Sequence, residues 1–255
     1  MSIDDALLAG WRTRVIRAGA RLGWRCPQTI VRRHSTGASL AITAPYDQLF
    51  LATEVNEWAL CAALLERDPR RWSGLEQMLV AAAAAAAENT AHPAANLQPV
   101  IEESAALERF ERLAALEANP KLRALLEVAA ARELPHVLDD SELTLGAGVG
   151  GRSFPLTALP PATEIPWQEL RAIPTALVTG SNGKTTTVRL LAACARAGGR
   201  RTGYNCTDGV FLDEEALALG DYSGPAGARM VLRESRAEVA ILETARGGIL
   251  RRGIA

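Results

Sequence analysis

Apolar positions recur at helical spacing through the N-terminal part of the chain and give way to short continuous runs after residue 170. Leu7, Leu8, Trp11, Val15, Ala18 and Leu22 form one stripe of a first helix, with Arg12, Arg14, Arg17 and Arg21 as a solvated basic face; Gly23 ends it. Beyond Pro27, residues Thr29–Arg33 and Ala38–Thr43 alternate, which predicts two strands joined at His34-Ser35-Thr36-Gly37, with His34 a turn residue. Pro45-Tyr46-Asp47 breaks the pattern. Thr53 then reads as the N-cap of a helix carrying Trp58, Ala59, Ala62 and Leu65 on one side. A further helix spans Trp72 to Asn89 and includes the alanine run 81–87, which favours helix without offering chemistry. Ser104 reads as the cap of a helix through Leu107, Phe110 and Ala114 that stops before Asn119-Pro120. Pro120 opens the next, with Leu122, Leu125, Leu126 and Ala129 inward, ended by Pro135.

The glycines at 146, 148 and 151 fit the spacing G-x-G-x-x-G. A dinucleotide site needs a helix to start at the third glycine, whereas Arg152-Ser153-Phe154-Pro155-Leu156 follows, so the stretch reads as a loop or hairpin. Asp139, Asp140 and Glu142 just before it read as a solvated acidic run. Pro160, Pro161 and Pro166 mark a linker. The second half carries another rhythm. Thr175–Val178 is a short apolar strand, Val188, Leu191, Ala192 and Ala195 give a helix face, and Arg201–Asn205 is a short strand closed by the polar turn Cys206-Thr207-Asp208-Gly209. Ser223-Gly224-Pro225 starts a helix with Ala228, Val231 and Leu232 inward. Val239–Leu242 is continuously apolar, as a parallel strand buried on both faces requires, and ends in Glu243. The fold class is α/β: a P-loop-type parallel sheet with flanking helices, preceded by a mainly helical α+β N-terminal domain. The divisions expected are 1–158, a linker at 159–172, and a second domain at 173–255.

Composition narrows the function. A formal net charge of −1 gives no electrostatic reason to expect nucleic acid or an anionic membrane as partner. Cys26, Cys61, Cys194 and Cys206 lie far apart without a C-x-x-C pair, which disfavours a zinc site or disulfide framework and fits a reducing, cytoplasmic setting. Asp4 and Asp5 argue against a transit peptide, and the apolar stretch from Leu79 to Ala87 is too short to cross a bilayer.

The chemistry concentrates in Val178-Thr179-Gly180-Ser181-Asn182-Gly183-Lys184-Thr185-Thr186-Thr187, a strand end, a glycine turn, a lysine and three threonines opening a helix. Backbone N–H groups at Gly180, Ser181, Asn182 and Gly183, joined by the positive end of the helix dipole, suit a polyphosphate. Lys184 supplies a compact charge for the terminal phosphates, Thr185 a magnesium ligand, and Thr186 a further hydroxyl. Of 28 basic residues only Lys121 and Lys184 are lysines, so this position keeps a point charge in a chain that otherwise uses arginine. The pattern G-x-x-x-x-G-K-[ST] needs glycine at 178, where valine stands, so the loop is a shortened variant. Ligands of open α/β sheets collect at the carboxyl ends of strands, which puts Glu243 on the same edge as this loop; its carboxylate can complete what Thr185 begins at magnesium. The alternative for Glu243, a surface charge past a strand, stays open on spacing alone.

Residues 179–187 resemble the T-G-T-N-G-K-T-T motif of the Mur ligases, with Ser181 at the usual threonine. Thr207-Asp208-Gly209, the stretch from Ser223-Gly224-Pro225 to Leu232, and Leu242-Glu243-Thr244-Ala245-Arg246-Gly247-Gly248-Ile249-Leu250-Arg251 are similar to the Mur-ligase-type half of cyanophycin synthetases. The resemblance runs from about Ile173 to Ala255. It implies an ATP- and Mg2+-dependent carboxylate–amine ligase working through an acyl phosphate, with Lys184 and Glu243 catalytic and Thr185 and Glu243 at the metal. It also implies an acidic peptide or amino acid as acceptor and an amino acid such as arginine as amine, with Asp208, Arg246 and Arg251 as weaker candidates for substrate contact. A homo-oligomer is left open. Because the family's central domain continues beyond Glu243, the chain alone is expected to be poorly active. The other class of reading is a noncatalytic nucleotide-binding module of a larger assembly.

Overall fold

The computed structural model describes residues 4–87 and 99–245. The chain forms two compact units, Met1–Arg123 and Ala124–Ala255.

In the first unit α1 (Asp5–Arg21) is capped by Asp4, whose carboxylate accepts from the Leu7 N–H. Its apolar stripe packs on α2 (Leu49–Arg67) and α4 (Glu103–Glu117): Trp11, Val15, Ala18, Leu51, Val55, Trp58 and Phe110 form one core, Trp58 meeting Phe110 edge to face at 5.5 Å. Three of the four arginines on the basic face of α1 are ion-paired as well as solvated. Arg14 reaches Glu66 at 2.6 Å, Arg21 reaches Glu111 at 2.6 Å, and Arg17 pairs with Glu103. β1 (Thr29–His34) and β2 (Gly37–Ile42) form the expected antiparallel hairpin. α3 (Leu75–Ala87) starts three residues after Trp72.

Two further helix starts differ from the sequence expectation. α2 begins at Leu49, not after Thr53; Thr53 sits inside it and its hydroxyl donates to the Leu49 carbonyl. The first turn of α2 is satisfied from far along the chain, where the Glu117 carboxylate accepts from the Leu51 N–H at 3.0 Å. α4 is capped by Glu102 rather than Ser104, the Glu102 carboxylate accepting from the N–H groups of Ser104 and Ala105. α5 (Pro120–Ala131) opens at Pro120 as expected, and the division between the units falls within it.

In the second unit β3 (His136–Leu138), β4 (Glu142–Leu145) and β5 (Arg152–Pro155) make a small antiparallel sheet. The acidic run is anchored, not simply solvated: Asp139 and Glu142 both bind Arg233. The glycine run between β4 and β5 is a packing device. Gly148 has φ +53°, and a Cβ there would lie 2.1 Å from the Ala237 carbonyl oxygen. The Val149 N–H donates to that same carbonyl at 2.8 Å. The proline-marked stretch that follows carries Leu159 and Ile165, both buried.

The larger sheet holds β6 (Thr175–Val178), β7 (Thr202–Cys206), β8 (Gly209–Leu212), β9 (Glu215–Leu219) and β10 (Val239–Glu243), in the order β6-β10-β7-β8-β9. β6, β10 and β7 are parallel, while β8 and β9 turn back antiparallel. The sheet is therefore mixed, not parallel throughout. The physical reason is the two-residue turn Thr207-Asp208, with Cys206 paired to Gly209, because a tight turn can only join antiparallel neighbours. α6 (Lys184–Ala197) covers one face through Val188 and Ala192 against Ile241. α7 (Pro225–Arg233) covers the other through Ala228 and Val231 against Ala240 and Leu242. Leu191, expected to point inward, is 38% exposed.

Candidate functional site

β10 alternates its side chains between the two helices: Ala240 and Leu242 face α7, and Ile241 faces α6. Period two carries Glu243 to the α6 side, and the parallel register sets it opposite Val178, the residue that leads into the glycine turn. The chain then continues along β6, with the Thr244 N–H donating to the Val178 carbonyl at 2.9 Å.

The turn itself is built for something other than packing. Gly183 has φ +74° and is the N-cap of α6, where no side chain caps the helix. A Cβ on Gly183 would meet nothing within 4 Å, and one on Gly180, at φ +147°, only the Asn182 carbonyl oxygen at 3.8 Å. Gly148 is glycine because another backbone fills the space, whereas around Gly180 and Gly183 the space is open. Left-handed backbone beside open space, at the start of a 14-residue helix, presents N–H groups to a ligand. The helix's first backbone bond runs from the Thr187 N–H to the Gly183 carbonyl, so the N–H groups of Lys184, Thr185 and Thr186 are not used within it. Ser181, Asn182 and Thr186 are exposed. Lys184 is half-buried, with no hydrogen bond or ion pair for its ammonium among the described residues.

Thr185 and Glu243 come together as the strand-end argument requires. The Thr185 hydroxyl donates to Glu243 Oε2 at 2.8 Å and lies 3.3 Å from the Thr207 hydroxyl. Glu243 is fully buried, and its other oxygen, Oε1, has no hydrogen-bond partner. A buried carboxylate oxygen without a donor is costly, and a cation repays that cost. The local donors are one carboxylate and two hydroxyls, all oxygen. That set suits a hard cation such as magnesium that keeps waters and phosphate oxygens as its remaining ligands. Thr185 and Glu243 therefore fit the metal that the loop chemistry calls for.

Beside them, Asp208 in the β7–β8 turn is ion-paired with Arg189, one turn along α6 from Thr185. Arg246 and Arg251 lie outside the described residues. Two residues of this region were given no role at the site from the sequence, Asn205 as a strand residue and Thr207 as part of the Thr207-Asp208-Gly209 turn. Asn205, fully buried at the end of β7, donates through Nδ2 to the carbonyls of Glu243 at 3.0 Å and Tyr222 at 2.6 Å. Thr207 touches Thr185. Both stand at the carboxyl end of a strand neighbouring Glu243, a position that could have flagged them.

Residues 178–253 match the family model described as Mur ligase middle domain. A stretch of 83 residues, 32% of the chain, is 53% identical to cyanophycin synthetase of Synechocystis sp. (strain ATCC 27184 / PCC 6803 / Kazusa), and a stretch of the same length is equally identical to that of Geminocystis herdmanii (strain PCC 6308). Cyanophycin synthetase of Nostoc sp. (strain PCC 7120 / SAG 25.82 / UTEX 2576) is 47% identical over 89 residues, 35% of the chain. The aligned stretch spans 10% of the length of each of these relatives.

Proposed function

We propose, from the Mur ligase middle-domain match over residues 178–253, that the chain serves an ATP-dependent acid–amino acid ligase. The observation that carries the reading is the contact between Thr185 Oγ1 and Glu243 Oε2 at 2.8 Å, with the buried Oε1 left for a cation beside a glycine turn open to phosphate. In the reaction class proposed, a carboxylate oxygen of the acceptor attacks the γ-phosphorus of ATP, and the bond to ADP breaks. An amine nitrogen then attacks the acyl carbon of the resulting acyl phosphate, phosphate leaves, and the nitrogen gives up a proton to yield the amide.

The chain's own residues account for the first half of this. Backbone N–H groups of the turn and of Lys184, Thr185 and Thr186 hold phosphate oxygens, and the Lys184 ammonium faces the charge that builds on the transferred group. Magnesium, held by Thr185 and Glu243, neutralises phosphate charge when bound. Phosphoryl transfer asks for little beyond such positioning and charge stabilisation. The acceptor proposed is an acidic peptide or amino acid and the amine an amino acid such as arginine. The names of the aligned relatives support an amino-acid ligase and supply no substrate for this chain directly.

The test uses the chain, and the full-length product of its gene where that runs longer, incubated with ATP, magnesium, and acidic peptides crossed with single amino acids, and follows phosphate release. Release that requires both a peptide and one amine is expected, and Glu243→Ala should retain nucleotide while losing turnover. Nucleotide binding without amine-dependent release from the full-length product would overturn the ligase reading and leave a nucleotide-binding module.

A further inference from the structure

The Glu243 carboxylate sits at the last residue of its strand, where a carboxylate is easily misplaced. Beyond it the backbone has a partner on one side, Thr244 N–H on the Val178 carbonyl at 2.9 Å. On the other side the pairing with β7 stops one residue earlier, its last partners being Leu242 and Asn205, and Cys206 pairs with β8 instead. No backbone ladder therefore reaches the Glu243 carbonyl from the β7 side. The Asn205 side chain does, donating to it at 3.0 Å, and the second proton of the same amide goes to the Tyr222 carbonyl at 2.6 Å.

Tyr222 belongs to a segment stitched to both strands. Its N–H donates to the Cys206 carbonyl at 3.1 Å, and the Ala245 N–H donates to the Ser223 carbonyl at 3.0 Å. Ser223 in turn donates from its hydroxyl and its N–H to Asp221 Oδ1. Among the described residues, fully buried Asn205 is the side chain that joins the end of β10 to this segment, and its Oδ1 has no partner. The amide thus spends both donors on two carbonyls and leaves its acceptor unused, an arrangement that a hydroxyl or a carboxylate could not reproduce.

We infer that Asn205 is a positioning residue for the metal-binding carboxylate: its amide fixes the Glu243 backbone against the Tyr222–Ser223 segment and so sets where Oε1 points. This rests on the reading of Thr185 and Glu243 as a magnesium site. Asn205 itself lies on the α7 side of the sheet, away from the carboxylate, and acts through the strand. The coupling is reciprocal, so magnesium should also stabilise the Asn205 hydrogen bonds.

The experiment titrates magnesium into the whole chain at saturating ADP and, separately, measures ADP binding in EDTA. Asn205→Asp keeps the shape and removes the donors; Gly227→Ala leaves the donors but places a Cβ 2.2 Å from the Tyr222 carbonyl oxygen and 3.0 Å from Asn205 Cβ. Val231→Ala, on the buried face of α7, is the control for lost stability alone. Asn205→Asp and Gly227→Ala should raise the magnesium midpoint at least tenfold with ADP binding in EDTA within twofold, while Val231→Ala leaves the midpoint in place. An unchanged midpoint in the two variants, or the same shift in Val231→Ala, overturns the inference. Should neither variant fold, the wild type decides: exchange of the Asn205 side-chain amide protons must slow when magnesium joins the ADP complex, and equal exchange overturns the inference. A wild type that shows no magnesium dependence of ADP binding defeats the metal-site reading instead, which keeps the two failures apart.

Discussion

Replacing Glu243 by glutamine should make the ligand-free protein more stable. Glu243 is fully buried, Oε2 accepts from Thr185, and Oε1 has no partner, so in the absence of a cation the fold carries a buried carboxylate satisfied at one oxygen only. Glutamine keeps the volume and the acceptor for Thr185. It exchanges the half-paired carboxylate for a neutral amide whose nitrogen is still unpaired, so only the difference between the two penalties is recovered, about 1–3 kcal/mol. For a unit of this size that corresponds to a rise of roughly 3–10 °C in melting temperature. The assay is thermal unfolding of wild type and Glu243→Gln in EDTA, then with magnesium and ADP. The order should reverse with ligand, because wild type gains about 2.7 kcal/mol when ligand is present at a hundredfold excess over its dissociation constant, and the variant gains less. A glutamine variant that melts at or below wild type in EDTA would refute the reasoning, since it would mean that Oε1 is satisfied within the apo fold.

Four other outcomes are expected. Lys184→Ala should weaken ATP binding on the order of 10–100-fold by calorimetry, as loss of one charge-assisted contact does. Arg233→Met should destabilise the second unit by about 2–4 kcal/mol in urea unfolding, because Arg233 reaches Asp139 and Glu142 and donates to the Thr144 hydroxyl at 3.0 Å. Burial of Asp139 disfavours its charge, but hydrogen bonds from Arg233, Ser141 and the Glu142 N–H outweigh that and hold its carboxyl well below the usual range. A carboxyl lowered by folding adds stability above its unfolded value of about 4 that is lost as pH falls further, so wild type should lose more stability than Asp139→Asn between pH 5 and pH 2. Gly148→Ala should cost about 2–5 kcal/mol in the same unfolding measurement, from left-handed backbone plus the clash of a Cβ 2.1 Å from the Ala237 oxygen and 2.6 Å from Ile173 Cδ1.

What the sequence made legible is what is local. The stripe on α1, the hairpin at His34–Gly37, the proline that opens α5 and the strand–turn–helix around Lys184 are each specified within a few residues, and each is in place. Glu243 was placed by a rule about strand ends that holds whatever the rest of the sheet does. The start of α2 escaped because its first turn is satisfied by Glu117, 66 residues beyond Leu51. β8 and β9 escaped because four- and five-residue strands, one with a bulge beside Val210, carry too few alternations to read. The glycine run at 146–151 shows the converse. Its spacing imitates a ligand loop, and only the Ala237 carbonyl, far off in sequence, reveals that another backbone occupies the space.

The scarcity of lysine has a practical side. Lys184 is half-buried without a partner among the described residues, and Lys121 is the chain's other lysine. An amine-directed covalent label can therefore mark only two side chains and the N-terminus. Cleavage after arginine, which a labelled lysine leaves unaffected, places Lys121 on peptide 113–123 and Lys184 on peptide 172–189, and the Lys121 fragment supplies an internal standard. Occupancy of the phosphate loop thus becomes readable by mass spectrometry on the unaltered polypeptide, in a cell extract as well as in a tube, without a reporter group near the nucleotide.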